Sequence, residues 1–173
     1  KNIYTKSTYF DIGAGILWRH EGKNNNISDI GISIFNVTQN WQATLANTSN
    51  DDYRRYRTIL HAKTEIPISD ESNYIIPSFY YSQQSNSNEI IIGAIYKTQI
   101  GLNSSYTGYY TSSFLYGGLL YRYKDAVIVI LKYEWQKNYQ LGVSYDINVS
   151  KLMSASKNQG GFEIAFTWIG DFF

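Results

Sequence analysis

The last third of the chain alternates between apolar and polar side chains, and this alternation restricts the possible folds more than any other feature. Successive side chains of a β-strand point to opposite faces, so a period of two predicts strands with one apolar and one polar face. The polar set is too polar for a packed core, whereas the other set is strongly aromatic. This combination is typical of a transmembrane barrel wall, with lipid on one side and water or a plug on the other. The apolar set is Tyr139, Leu141, Val143, Tyr145 and Ile147 in one strand and Phe162, Ile164, Phe166 and Trp168 in the next.

The same alternation recurs upstream and predicts seven further strands. Most of them are about 9–12 residues long, which is the length that a tilted membrane crossing needs. Pro77 has no amide hydrogen for a ladder, so we expect a bulge there. We expect Gly117-Gly118 to mark a sharp bend or a close approach of two backbones. In chain order, the nine predicted strands cover 10–19, 29–34, 55–66, 74–83, 89–100, 113–123, 126–136, 139–148 and 162–168.

The fold class that follows is all-β: an antiparallel transmembrane β-barrel of the outer-membrane type, with residues 1–173 in a single domain. Roughly nine strands are visible, whereas bacterial single-chain barrels have an even number. We therefore expect the chain to be the C-terminal portion of a longer, even-stranded barrel.

Composition argues against several other classes of function. The formal net charge of +1 offers nothing to attract nucleic acid. Two His and no Cys leave little for a zinc site, and we expect no cofactor. No stretch approaches the ~18 apolar residues that a membrane helix needs, but a strand-built wall does not require one.

Charged or titratable side chains share one face of the third predicted strand. A soluble β core would bury them only at high cost, whereas a wet lumen would hold them in water. We interpret them as a ladder of lumen-facing charges between neighbouring strands rather than as a catalytic or anion-binding cluster. They are Arg55, Arg57, His61, Lys63 and Glu65.

One group of residues offers an alternative, catalytic interpretation. A serine hydrolase needs a nucleophile, a base and an orienting carboxylate, and Ser28, His20 and Asp29 are the nearest such set. No recognisable motif surrounds them, so the sequence predicts that the chain is not an enzyme.

Strand parity assigns the connections to two sides of the membrane. If the C-terminus lies in the periplasm, the long loops 38–53 and 148–159 face the cell surface and the short turns 20–26, 67–73 and 137–138 face the periplasm, which is the expected asymmetry. The longer segment 101–111 also falls on the periplasmic side and departs from it. Partner-binding residues concentrate in loops that a rigid scaffold holds, and apolar or aromatic anchors are typical of interfaces. The alternative is that both loops fold inward as a plug. The candidate partner-binding residues are Trp41, Leu45, Tyr53, Leu152 and Met153.

Several short motifs, taken in order, resemble the PorP/SprF family of outer-membrane proteins of the type IX secretion system. They are Phe-Asp-Ile-Gly-Ala-Gly at 10–15, Asp-Ile-Gly-Ile-Ser at 29–33, Tyr-Arg-Tyr-Lys-Asp-Ala-Val at 121–127 and Gly-Val-Ser-Tyr-Asp at 142–146. Each motif is weak alone, and their order and spacing carry the resemblance. It covers nearly the whole chain but only the C-terminal half or so of a typical member.

The resemblance implies an integral outer-membrane barrel of a Gram-negative bacterium, with a role in protein secretion or gliding motility. Its partners would be membrane lipids and either the C-terminal domain of a secreted surface adhesin or a component of the periplasmic ring or motor. The family offers no catalytic residues to carry over. The chain would thus be a non-enzymatic anchor or adaptor. The two alternatives are a porin-like diffusion channel and a soluble β-barrel or sandwich that binds a ligand.

Overall fold

The structure is one antiparallel sheet of nine strands, in which each strand pairs with the next one along the chain. It is a computed structural model that describes residues 11–38, 55–69, 72–100, 113–136, 138–150 and 160–170. The expected all-β class and the nine strands are confirmed over these ranges, which contain no helix. The strands are β1 (Ala14–Glu21), β2 (Ile27–Phe35), β3 (Arg57–Ser69), β4 (Asn73–Gln84), β5 (Ser87–Ile100), β6 (Ser113–Arg122), β7 (Ala126–Trp135), β8 (Tyr139–Asn148) and β9 (Phe162–Trp168).

The register of the ladders assigns every strand side chain to one of two faces, because directly opposed residues in an antiparallel pair lie on the same face. We name these the charged face and the apolar face, after the rows that define them. One row of direct partners on the charged face runs Arg19, Asp29, Lys63, Ser78, Gly93, Leu120, Ile128, Asp146. The next row, on the apolar face, runs Trp18, Ile30, Ala62, Phe79, Ile92, Tyr121, Val127, Ile147.

In a soluble protein the apolar face of a sheet is buried and the charged face is exposed, whereas here the apolar face is the more exposed of the two. Large apolar side chains such as Ile16 and Phe166 are 75% and 68% exposed on the apolar face. The four buried apolar residues of the described ranges all lie on the charged face, and so does the 3% exposed Asp29. This asymmetry indicates that the sheet curls toward its charged face. The four are Ile76, Tyr116, Ala126 and Ile128.

Glycines permit this close approach on the charged face. A Cβ at Gly93 would collide with the backbone of Leu119 and Leu120 on the neighbouring strand. A Cβ at Gly118 would lie 2.7 Å from Cγ1 of Ile95. The expected close approach at the glycine pair is therefore found at Gly118, while β6 continues through both glycines without a shift in register.

The prediction of a bulge at Pro77 is wrong. β4 pairs with β5 in one register through Pro77, which lies opposite Ala94. The register shift occurs instead at the end of β3, between Pro67 and Ser69. β3 extends to Ser69 and β4 begins at Asn73, so the turn that the sequence placed at 67–73 is shorter than predicted.

The connections divide between two edges of the sheet. The edge at which β2 and β8 end and β3 and β9 begin is called the upper edge below. It therefore carries the roots of both long loops predicted to face the cell surface, together with the turns at 85–86 and 123–125. β1 and β9 both start at this edge, and no ladder joins them among the described residues, so the sheet is not closed.

Candidate functional site: the charged face and its upper edge

Every charged residue in the nine strands lies on the charged face. Thirteen Asp, Glu, Lys and Arg residues fall within the strands, and the register places none of them on the apolar face. Chance placement would divide them about equally. They are Arg19, Glu21, Asp29, Arg57, Lys63, Glu65, Glu89, Lys97, Arg122, Lys132, Glu134, Asp146 and Glu163.

Four of the five charged or titratable residues predicted for the third strand, Arg57, His61, Lys63 and Glu65, lie on this face but do not meet as one cluster. Lys63 lies 3.5 Å from Asp29 on β2, whereas Glu65 accepts from Lys97, two strands away on β5. The ring of His61 covers Gly31. Arg55 lies just before β3. The arrangement is thus a set of separate cross-strand pairs.

Arg57 belongs to a network of charges at the upper edge. Its Nε donates to Oγ of Ser82 at 2.8 Å and its second terminal nitrogen donates to the hydroxyl of Tyr80 at 3.0 Å. The same nitrogen lies 3.9 Å from Oε2 of Glu89. At that separation the Glu89 contact is an attraction between charges, while the two hydroxyls fix the guanidinium in place.

Arg122 is the centre of this network. Its Nη1 donates to Oδ2 of Asp146 at 3.0 Å and to Oδ2 of Asp125 at 3.3 Å. Its Nε lies 3.0 Å from Oε1 of Glu89. The direction of that contact is too bent for a hydrogen bond, so it is an ion pair only. One guanidinium therefore joins carboxylates from β5, from the turn after β6 and from β8.

A second polar cluster lies toward the opposite edge and combines lysines with aromatic rings. Nζ of Lys132 lies 3.8 Å from the ring centre of Tyr116, whose hydroxyl donates to Oε2 of Glu134 at 2.8 Å. Gln140 also donates to Glu134, at 3.0 Å. Lys97 lies 4.5 Å from the ring centre of Phe114. These cation–π and charge-assisted contacts stabilise polar groups in a half-buried setting.

The hydrolase interpretation is excluded by the geometry. His20 and Ser28 are direct partners on the apolar face, where His20 stacks on Trp18 and Ser28 hydrogen-bonds to Thr64. Asp29 lies on the opposite face, where Arg19 binds both of its oxygens, at 2.7 and 2.9 Å. A carboxylate on the other side of the sheet cannot orient the imidazole.

Aromatic residues on the apolar face concentrate near the strand ends. Trp135, Tyr139 and Trp168 are direct partners across β7, β8 and β9 at the lower edge, and the rings of Trp135 and Tyr139 are 6.1 Å apart. Tyr145 and Phe162 oppose each other near the upper edge. These two aromatic bands, which Leu141 and Val143 separate on β8, match the interface girdles of membrane barrels.

Comparison with known proteins identifies the family. A family model described as "Type IX secretion system membrane protein PorP/SprF" matches residues 1–168. This chain belongs to the PorP/SprF family. The resemblance inferred from the motifs is therefore confirmed. A search of curated proteins and a search of solved structures found no match.

Family membership makes this a membrane protein of type IX secretion, since the description names a membrane component of that system and not an enzyme. In the described ranges of this PorP/SprF chain, no helix is long and apolar enough to cross a membrane. The same ranges contain no group of three or more His, Asp or Glu side chains suited to a metal ion.

The partner-binding residues predicted for this PorP/SprF protein fall outside the residues that the structure describes. Only the loop roots are seen. Val149 donates its amide to the carbonyl of Asp125 at 2.8 Å, and Asp146 donates its amide to the carbonyl of Gly161 at 2.9 Å. The residues outside the described ranges are Trp41, Leu45, Tyr53, Leu152 and Met153.

Sequence reasoning missed the network around Arg122. Arg122 and Asp146 each fall within a motif that carried the family resemblance, but neither was assigned a role. Nothing in the sequence pairs them, because they lie on β6 and β8 and only the register brings them together. Their position at strand ends next to turns was the available signal.

Proposed function

We propose that this PorP/SprF protein is an integral outer-membrane barrel that acts as a non-enzymatic anchor or adaptor for a protein partner. The distribution of charge carries the proposal: thirteen charged strand residues share one face, and the other face is apolar and exposed. Placing the apolar face against lipid removes it from water at no electrostatic cost. The charged face then lines the interior.

The partner in this proposal is a component of the secretion or gliding apparatus. Two classes fit: the C-terminal domain of a secreted surface adhesin, at the upper edge, or a ring or motor protein in the periplasm, at the lower edge. The upper edge suits a surface partner because it carries two of the three long connections, whereas the lower edge carries only 101–112, and outer-membrane barrels place their long loops outside. The charged side chains that line such an interior are paired with one another rather than arranged as a catalytic site.

Capture of partners from a secretion-competent host tests this function. Tagged protein is extracted from outer membranes in detergent, and the recovered partners are quantified beside those of a variant whose 39–53 loop is replaced by a short Gly/Ser linker. We expect an adhesin domain with the wild type and a large loss with the variant. Equal recovery of ring or motor components by both would favour the periplasmic class instead. Recovery of no secretion component at all contradicts the anchor function.

We also propose that further strands close the sheet, so that the chain forms the C-terminal part of a larger barrel. Unpaired strand edges do not occur in the hydrocarbon region of a membrane. β1 and β9 run in the same direction, so pairing them directly would be parallel, whereas an odd number of intervening strands gives antiparallel pairing throughout. The barrel then has an even number of strands.

A disulfide trap tests this closure, because the chain has no native Cys. Cysteines at Leu17 and Ala165, on the charged faces of β1 and β9, should not cross-link in the full-length protein. Cysteines at Gly142 and Ala165, which are direct partners on β8 and β9, serve as the positive control. Efficient cross-linking of the first pair would mean that β1 and β9 are neighbours.

A diffusion channel is a second candidate, and the charged face favours it, since polar side chains line open barrels as well as plugged ones. Conductance in planar bilayers separates the two functions. An anchor gives little or no steady conductance, whereas a porin gives stable open steps whose size follows the salt concentration.

A further inference from the structure

Lys132 on β7 differs from every other cation in the strands that the structure describes. Five of the six strand cations lie within 4 Å of an Asp or Glu oxygen, namely Arg19, Arg57, Lys63, Lys97 and Arg122. Nζ of Lys132 lies instead 3.8 Å from the ring centre of Tyr116, and no carboxylate of the described residues comes within 4 Å of it. Lys132 is therefore the one cation of these strands without a counter-ion in contact.

Glu134, two residues along the same strand and on the same face, is held by neutral groups rather than by Lys132. Its Oε2 accepts from the hydroxyl of Tyr116 at 2.8 Å and from the side-chain amide of Gln140 at 3.0 Å. The residue is buried, with 9% of its surface exposed. The carboxylate is thus fixed at the hydroxyl of Tyr116, whereas the ammonium of Lys132 lies over the ring of the same residue. The two opposite charges do not meet.

A second lysine beside the same ring shows what a satisfied cation looks like in this setting. Nζ of Lys97 lies 5.8 Å from the ring centre of Tyr116 and also pairs with the carboxylate of Glu65. Its side chain is only 13% exposed. A ring face attracts an ammonium but accepts none of its three N–H bonds in the usual way. Lys132 has the ring without the carboxylate, and a charged oxygen is the acceptor that would complete its environment.

The sheet beside Lys132 has room for a ligand. The direct partner of Lys132 on β8 is Gly142, and the partner of Gly142 on β9 is Ala165, so no side chain longer than a methyl group follows it in this row. A Cβ added at Gly142 would meet nothing closer than the stem of Lys132 itself, at 3.8 Å. Ser144 and Thr167 flank the two small residues on the same face and carry hydroxyl groups that can donate.

The nearby charges favour a ligand with one negative charge. Glu134 lies on one side of Lys132, and Glu163 lies on the same face as the direct partner of Ser144. These two carboxylates repel a doubly charged group such as phosphate or sulfate more than a singly charged one. A carboxylate carries a single charge, and its two oxygens can accept from an ammonium and from a hydroxyl at the same time.

We propose that Lys132, with the open row at Gly142 and Ala165 beside it, is a binding site for a single carboxylate on the charged face. The site goes beyond the anchor function and rests on it only in lying inside the barrel. Two sources supply this chemistry: an Asp or Glu side chain of a protein segment that enters the interior, or a small free carboxylate. A protein source would fix that segment against β7, whereas a free source would make Lys132 a binding point for small acids.

Zero-length cross-linking with a water-soluble carbodiimide tests the protein source, because this reagent joins an amine only to a carboxylate in contact with it. Full-length protein extracted from outer membranes is treated in detergent, and the peptides linked to Lys132 are identified by mass spectrometry. A link to an Asp or Glu outside the described strands supports the site. A link to Glu134 or Glu163 alone means that Lys132 is neutralised within the wall and overturns the proposal. The link between Lys97 and Glu65 is the positive control.

Titration with acetate tests the free source. The lysines carry isotope-labelled dimethyl groups, which keep their charge, and the Lys132 signal in the NMR spectrum is the one that Lys132→Arg removes. If that variant fails to assemble, Lys132→Gln assigns the signal instead. Where no protein carboxylate is linked to Lys132, we expect acetate to shift its signal saturably and phosphate at equal ionic strength to shift it less. Lys63, which already pairs with Asp29, is the matched control and should show no saturable shift.

The two measurements together decide the proposal. Absence of both a qualifying cross-link and a saturable acetate shift overturns it, and so does a larger shift with phosphate than with acetate. Both readouts are local to Lys132. Wild-type protein that recovers no secretion partner therefore contradicts the anchor function and leaves the carboxylate site standing.

Discussion

The two faces of this sheet follow opposite rules, although they are built from alternate residues of the same strands. On the apolar face, aromatic and aliphatic side chains are exposed and no Asp, Glu, Lys or Arg occurs within the strands that the structure describes. On the charged face, carboxylates and guanidiniums are half-buried and paired with one another. A soluble protein buries the first kind of surface and hydrates the second. The inversion indicates that the solvent of the apolar face is not water, which agrees with membership in a family of membrane proteins.

The strongest test of the difference between the two faces is to place a cation on each of them. Val143→Arg or Phe166→Arg puts a guanidinium on the apolar face, and we expect each to block assembly, because a cation at mid-bilayer costs ~2–4 kcal/mol. Ser144→Arg and Thr167→Arg, one residue further along each strand, should assemble. Assembly is measured as the heat-sensitive shift in electrophoretic mobility of the membrane fraction. Equal damage from both pairs would mean that both faces are buried, as in a soluble sandwich.

Removing one hydroxyl from the charged face should have a smaller effect on stability. Tyr116→Phe removes the hydrogen bond to the carboxylate of Glu134 and leaves the ring in place, so the free energy of unfolding should fall by about 1.5–3 kcal/mol, the range for a hydrogen bond to a charged group. Tyr133→Phe is the matched control on the apolar face of β7, where the side chain is 42% exposed. Urea unfolding from lipid vesicles measures both. Equal losses from the two variants would remove the distinction between the faces.

Gly117 and Gly118 are adjacent in β6 and lie on opposite faces, so substituting each in turn compares the two faces at one place in the sheet. Gly118→Ala adds a methyl group against the backbone and side chain of β5, and we expect a loss of about 1–2 kcal/mol, as for other overpacked positions. Gly117→Ala should be neutral, because no atom lies within 4 Å of the added carbon. The same unfolding measurement applies. A loss at Gly117 equal to that at Gly118 would mean that something covers the apolar face there.

Much of this architecture was predictable from the sequence, because the alternation of side chains in a strand and the exclusion of charge from lipid assign the same residues to the same face. Lipid tolerates no charge in the wall, so the positions of Lys63, Lys132 and Glu163 alone determine which alternate residues of their strands face the interior. The bulge at Pro77 was wrongly predicted, since a missing amide hydrogen removes one ladder bond without requiring an extra residue in the strand. The contacts of Arg122 were not predictable, because its partners on β5 and β8 are brought together by curvature and by pairing across several strands. Only its position at a strand end next to a turn was visible in the sequence.

The last prediction concerns the residues that belong to neither face, and it has the smallest expected effect on the wall. Trp41→Ala combined with Met153→Ser changes two loop residues outside the described ranges and no strand residue, so the barrel should assemble and unfold as the wild type does. If the loops bind a partner, the double variant should release a co-purifying surface protein, because aromatic and apolar anchors carry much of the binding free energy in protein interfaces. Ser49→Ala combined with Ser154→Ala changes the same two loops without removing an anchor and serves as the control. Partner recovery is measured by quantitative mass spectrometry of the detergent-extracted complex. Equal recovery from wild type, control and double variant would mean that the loops form a lid and that the contact lies elsewhere.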